Sequence, residues 1–269
     1  MEKEIALVYM AAGMSSRFLG RIKSFAVVGE NEETLIERSL KQALPAGFSK
    51  IIFIVSNKTE QSFRDKFRDN YKGIPVYYAL QSYDENERDK PWGTTDALCS
   101  AKQYLDCPFV ICNGDDLYGE NSFKILFNHL VQSNDCATLG FNLYACLPDQ
   151  GRVNRGIFQT EGNFVLGIKE TFEIEKINIQ EKNLDENTLC SMNIFALHPL
   201  VLEELSHSLK EFKKTNKGNR KIEALMPEDI SSLVTKKKIK LQLYSTPDIW
   251  MGITNPGDEE IVKKKLASI

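Results

Sequence analysis

The sequence predicts an α/β fold with a mostly parallel central sheet and a smaller antiparallel extension, on three observations. Apolar, strand-like runs alternate with amphipathic helical text through residues 1–135. Two runs, Ile51-Ile52-Phe53-Ile54-Val55 and Phe109-Val110-Ile111-Cys112, are apolar throughout, as strands covered on both faces must be. From about Cys136 the text changes to shorter, alternating strands.

Each element is expected in order. Ile5 to Met10 forms the first strand, followed by a helix at 34–44, a strand at 50–56 and a charged helix near 58–70. A short strand at 75–79, a helix at 94–105 and a strand at 108–112 complete the parallel part. The extension is expected as strands at 136–144, 156–160, 163–170 and 189–197. Helices near 199–210 and 227–234, a strand at 238–244 and a helix at 258–267 close the chain. The polar run from Lys213 to Arg220 reads as a mobile loop.

Composition bounds the function. With 269 residues, 42% of them hydrophobic, the chain can bury a large core. A net charge of -3 argues against a protein devoted to nucleic acid or to an anionic membrane surface. No apolar run reaches the roughly 20 residues of a membrane span, and Met1-Glu2-Lys3-Glu4 lacks the charge pattern of a secretory signal, so a cytoplasmic location is expected. Cys99, Cys107, Cys112, Cys136, Cys146 and Cys190 contain no C-x-x-C pair and no interleaved histidines, which makes them core residues rather than zinc ligands or a redox dithiol. His129, His198 and His207 sit in amphipathic helical text without a partner in sequence and read as structural.

The first strand breaks into Ala11-Ala12-Gly13-Met14-Ser15-Ser16-Arg17, with Lys23 beyond it. Small residues let backbone approach a polyphosphate, Gly13 offers a tight turn, and Arg17 and Lys23 bring positive charge. Neither standard nucleotide loop fits: G-x-G-x-x-G is absent after Gly13, and Ile22 rather than glycine precedes Lys23-Ser24. Ligands of open α/β sheets bind at the carboxyl ends of strands, so the loops at 11–17, 81–95 and 113–116 should converge.

Asn113-Gly114-Asp115-Asp116 follows a buried strand, and two carboxylates there can hold a magnesium ion or, equally, cap a local turn. Gly93-Thr94 opens a helix, whose free N–H groups suit an anion or a base edge, although Thr94 also reads as a plain cap. Gln81, at a strand end, carries both a donor and an acceptor for a base, or simply meets water.

Taken together, Met10-Ala11-Ala12-Gly13, Arg17, Lys23, Gln81, Gly93-Thr94-Thr95, Gly114-Asp115, Arg155-Gly156, Glu170, Asn193 and Trp250 resemble the sugar-phosphate nucleotidyltransferases, the NDP-sugar pyrophosphorylase family. The resemblance implies a Rossmann-like three-layer α/β/α sandwich in one domain over 1–269, with 1–135 binding nucleotide and 136–269 binding sugar phosphate. It implies that Ala11, Ala12, Gly13, Met14, Gln81, Gly93, Thr94, Asn113 and Gly114 contact the nucleotide, and that Arg17, Lys23 and Asp115 are catalytic. Gly156, Glu170 and Asn193 fall at its sugar contacts; Glu170 and Asn193 also suit exposed strand positions. Asp115 resembles its magnesium ligand, with Asn255 or Asp258 as a second.

The chain departs from that pattern at Met14 or Ser15, where a glycine is common, at Ile22, where a proline is, at Thr171, where a lysine is, and at Trp250-Met251-Gly252-Ile253-Thr254-Asn255, which has no aspartate at the matching place. The implied reaction joins a nucleoside triphosphate, UTP or dTTP as first choice, to a sugar 1-phosphate and releases pyrophosphate. A phosphocholine-type acceptor and a non-catalytic NDP-sugar sensor are the alternatives. The base, the sugar and the oligomeric state are left open.

Overall fold

The computed structural model describes residues 3–13, 22–148, 151–253 and 257–267. The parallel part runs β1 (Ala6–Met10), α1 (Leu35–Ala43), β2 (Lys50–Val55), α2 (Glu60–Phe67), β3 (Asn70–Tyr71), β4 (Ile74–Leu80), α3 (Thr94–Ser100) and β5 (Phe109–Asn113). It continues through β6 (Asp116–Leu117), α4 (Glu120–Gln132), β7 (Cys136–Asn142), α5 (Leu143–Cys146), β8 (Val153–Glu161) and β9 (Phe164–Ile174). The rest comprises β10 (Leu189–Ser191), β11 (Phe195–Leu197), α6 (Pro199–Thr215), α7 (Met226–Thr235), β12 (Leu241–Ser245), β13 (Met251–Gly252) and α8 (Asp258–Leu266).

One mixed sheet holds eleven of the described strands in the order β10-β8-β9-β12-β7-β11-β5-β1-β2-β4-β3. The centre is parallel: β1 pairs with β2 and β5, and β2 with β4. The extension is mainly antiparallel, with β8 against β9, β10 against β8, and β11 between β5 and β7. Alternation along the strands divides the core into two layers. Leu7, Tyr9, Ile51 and Phe53 face α1, α2 and α4, whereas Ala6, Val8, Ile52 and Ile54 face α3, α6 and α7. The result is the α/β/α sandwich expected.

The boundaries differ where local chemistry overrides periodicity. The strand expected at 136–144 ends at Asn142, whose side chain accepts a hydrogen bond from the Ala145 N–H (3.0 Å) and starts a short helix. The single strand expected at 189–197 is two, broken where Asn193 adopts φ 58°, a conformation asparagine tolerates better than most residues. The strand expected from Lys238 starts at Leu241, because Lys237 turns with φ 56° after α7. Lys213–Thr215, expected in a mobile loop, are the last turn of α6, and Arg220 clamps the following segment to Asp89 (2.7 Å).

The chain steps outward from β1 to β2 and β4, then crosses to β5 on the other side of β1. That reversal opens a crevice at the carboxyl ends of β1 and β5, where Met10 and Asn113 are register partners. No helix among the described residues is long and apolar enough to cross a membrane.

Candidate active site

Two cavities meet at this crevice, and Thr94 and Asn113 line both. The first, about 540 Å³, is walled by Ala12 and Gly13 after β1, Gln81 after β4, Gly93 and Thr94 at the start of α3, and Asn113. The three loops expected to converge do so, as far as they lie within the described residues. Met14 and Arg17 lie outside them.

The first cavity is fixed largely from behind. Gln81 is buried, and its Nε2 donates to Gly93 O (3.0 Å) and to Asp96 Oδ2 (2.9 Å). Both amide protons are thus spent, which leaves Oε1 as an acceptor only. Asp96, itself buried, is held from its other oxygen by Lys213 Nζ at 2.5 Å. Gly93 is required: its φ is 106°, and a Cβ there would lie 2.3 Å from Ala224 O. The Thr94 hydroxyl accepts from the Met226 N–H (2.8 Å), so it caps α7, not its own helix. At the start of α3 the Thr95 N–H donates to Ala224 O (3.1 Å), which removes that donor from the set expected to meet an anion or a base edge.

Two residues expected at the nucleotide, Ala11 and Gly114, line neither cavity. Ala11 is buried, with its N–H on Ile54 O and its carbonyl on Thr59 Oγ1, and Gly114 donates its N–H to Met10 O. Gly13 does not take a positive φ, and the turn expected to follow it lies outside the described residues.

The second cavity, about 270 Å³, is lined by Asp115, Asp116, Arg155, Gly156, Glu170, Asn193 and Trp250, among others. It therefore gathers all three residues expected at a sugar together with the expected metal ligand. Lys23, in a turn of 3-10 helix, reaches Asp115 Oδ2 at 3.5 Å. Burial raises the Asp115 carboxyl pKa, and the Lys23 charge opposes that rise. Asp116 is buried; desolvation first, then the Asp115 charge, push it up to about 7. Its Oδ2 accepts from Asn113 Nδ2 (2.8 Å) and Tyr118 Oη (3.1 Å).

Asp116 owes its position to glycine on the paired strand. β6 and β13 put Gly252 opposite Asp116, and a Cβ on Gly252 would lie 2.3 Å from Asp116 Oδ1 and 2.4 Å from the Trp250 ring. The Trp250 indole thus borders this carboxylate, although its buried Nε1–H reaches no acceptor in hydrogen-bonding geometry among the described residues. Across the cavity, burial first and then Glu228 raise the Glu170 pKa, while Arg155 lowers it.

As for the remaining expectations, Asn255 lies outside the described residues, and Asp258 opens α8 without lining either cavity. His129 bonds Tyr244 Oη (3.1 Å) and Asp135 O (2.8 Å), and the cysteines are free, five of them buried. The sequence assigned no role to Asp96 or Lys213, whose pairing spans 117 residues, and none to Arg155 beyond its place in the Arg155-Gly156 pair.

The sequence pattern of the family described as Nucleotidyl transferase matches residues 10–253. No curated protein matches the chain in sequence. Among solved structures, one assigned as a glucose-1-phosphate thymidylyltransferase from Bacillus anthracis, in complex with a sucrose, is similar with TM-score 0.69 and 14% identity, over 98% of this chain and 96% of that one. The inositol-1-phosphate CTP transferase of T. maritima gives TM-score 0.67 and 14% identity, over 98% of this chain and 96% of that one. UTP-bound UGPase from Acinetobacter baumannii gives 0.66 and 15%, over 98% of this chain and 93% of that one. At these identities the structures establish a shared fold. The family pattern goes further, since it runs from the end of β1 through both cavities to Ile253 beside β13: the chain belongs to the nucleotidyl transferases.

Proposed function

We propose that this chain transfers a nucleotidyl group from a nucleoside triphosphate to a sugar 1-phosphate, giving an NDP-sugar and pyrophosphate. The observation that carries the reading is the junction of the two cavities at Thr94 and Asn113, with the Lys23–Asp115 pair beside it. A donor in the first cavity and an acceptor in the second would meet there. Gln81 Oε1, the remaining acceptor of its amide, suits the N3–H of uracil or thymine, which favours UTP or dTTP.

The second phosphate pKa is about 6, so the acceptor is largely dianionic at neutral pH and attacks without a general base. One acceptor oxygen forms a bond to the α-phosphorus. The bond from that phosphorus to the bridging oxygen breaks, and its electron pair leaves with pyrophosphate. The role of Lys23 is to neutralise charge in this step, and Arg17 joins it on the strength of the resemblance alone. Glu170 and Asn193 suit the hydroxyls of a sugar.

The donor set fits magnesium, which needs only one or two protein carboxylates. Asp115 and Asp116 are adjacent, and Gly252 leaves the cradle in which the Asp116 carboxylate sits. Those two residues would hold the ion, which when bound neutralises phosphate charge. The test is a pyrophosphate-release screen of the common nucleoside triphosphates against sugar 1-phosphates and choline phosphate. Release with UTP or dTTP and a sugar 1-phosphate is expected. Release only with choline phosphate, or nucleotide-sugar binding without turnover, would overturn the reading.

A further inference from the structure

Arg155 is the only cationic residue among the described side chains lining the second cavity, against the carboxylates Asp115, Asp116, Glu170 and Glu228. It is half-buried and joins no ion pair among the described residues. With no carboxylate in ion-pair contact among the described residues, this guanidinium keeps donors that an incoming anion can take up.

The guanidinium is nonetheless held in place. Nη1 donates to Asn154 O (3.0 Å), Nη2 contacts Cys146 O (3.4 Å), and the group lies 5.6 Å from the centre of the Trp250 ring. A guanidinium has five N–H donors, and these contacts use only two. The Nε donor is buried and has no hydrogen-bond partner among the described residues. On the β8–β9 ladder, Arg155 is opposite Thr171, immediately beside the Gly156–Glu170 pair. Its charge is felt at the cavity, because it lowers the Glu170 pKa against burial and Glu228.

Cations around the first cavity are already matched. Lys58 pairs with Glu85, and Lys90 with Glu223. The contrast points to an anion specific to the second cavity. We propose that Arg155 binds the phosphate of the acceptor substrate and thereby restricts acceptors to phosphomonoesters. This rests on the transferase reading. Arg155 orients the acceptor through its unspent N–H groups, while the Trp250 face and two backbone carbonyls keep the side chain from collapsing onto the neighbouring carboxylates.

The test uses Arg155→Gln and Arg155→Lys in the full-length protein, each first checked for an unchanged thermal midpoint. For an acceptor that supports turnover, Arg155→Gln should raise the acceptor KM about 10- to 100-fold with the nucleotide KM unchanged, and Arg155→Lys should recover part of the loss. A second arm needs no turnover. The chain has two tryptophans, so in a Trp92→Phe background Trp250 alone reports on inorganic phosphate. Phosphate should change its emission saturably, and Arg155→Gln should weaken the apparent affinity at least about tenfold. Unchanged acceptor KM in Arg155→Gln, or equal phosphate affinity with and without Arg155, would overturn the proposal. If no acceptor releases pyrophosphate, the transferase reading fails separately, and the phosphate titration still decides whether Arg155 is an anion site.

Discussion

The two cavities are built by opposite means. Around the first, polar groups are matched within the protein: Gln81 bonds Gly93 and Asp96, Asp96 bonds Lys213, and Lys58 and Lys90 have carboxylate partners. Behind it, the buried Arg88 donates to Asn219 O (2.7 Å) and Ile222 O (2.5 Å) and lies 3.5 Å from the centre of the Trp92 ring. The second cavity instead gathers four carboxylates, Asp115, Asp116, Glu170 and Glu228, of which Asp115 meets Lys23, and an Arg155 that joins no ion pair among the described residues. A preformed pocket suits a substrate portion common to many reactions, whereas unmatched charge becomes favourable only when the right ligand supplies its counterpart. On this view acceptor choice is exercised in the second cavity.

The largest effect should come from the junction both cavities share. Asp115→Asn and Lys23→Ala should each lower turnover by roughly 10² to 10³-fold in pyrophosphate release, while circular dichroism stays native. Near-normal turnover in either variant would remove the junction from the chemistry.

A smaller effect separates the walls. Gly93→Ala forces a Cβ against Ala224 O in a left-handed conformation, and should cost roughly 1–3 kcal/mol in urea unfolding. It should also raise the nucleotide KM while the acceptor KM holds. An equal rise in both would mean that the cavities are not independent.

The smallest lies outside both. His198 is half-buried with Nε2 3.2 Å from Asp135 O, and burial first, with Lys3 and His129 adding to it, lowers its pKa. The unfolded chain therefore takes up this proton at a higher pH than the folded one. Stability from this residue is full above the ordinary histidine value of about 6.5 and is lost as the pH falls toward the lower folded value. In His198→Gln the drop in thermal midpoint between pH 7 and pH 5 should shrink, with activity at pH 7 unchanged. An identical drop would remove His198 from the acid response.

Much of this arrangement was legible in the sequence because local pattern and tertiary demand agree. The runs that became β2 and β5 are apolar since helices cover both their faces, and the convergence of three loops follows from strand polarity. Where a residue's role depends on a distant partner, the text is silent. Gln81 reads as a free base-contacting amide, yet Asp96 and Gly93 take its protons. Asn193 sits in what looks like one strand, and only its left-handed backbone splits that strand and sets it at the cavity. The missing aspartate near Trp250 looked like a loss, but Gly252 is the space the Asp116 carboxylate occupies. The family resemblance held at the level of nucleotidyl transfer.

Direct displacement at the junction is the central claim, and the stereochemical course at phosphorus tests it most directly. With a nucleoside triphosphate carrying a single sulfur of known configuration on the α-phosphorus, one in-line attack by the acceptor predicts an NDP-sugar of inverted configuration. Retention would mean two displacements through a nucleotidyl-enzyme intermediate, and would contradict a mechanism in which the occupants of the two cavities react with each other.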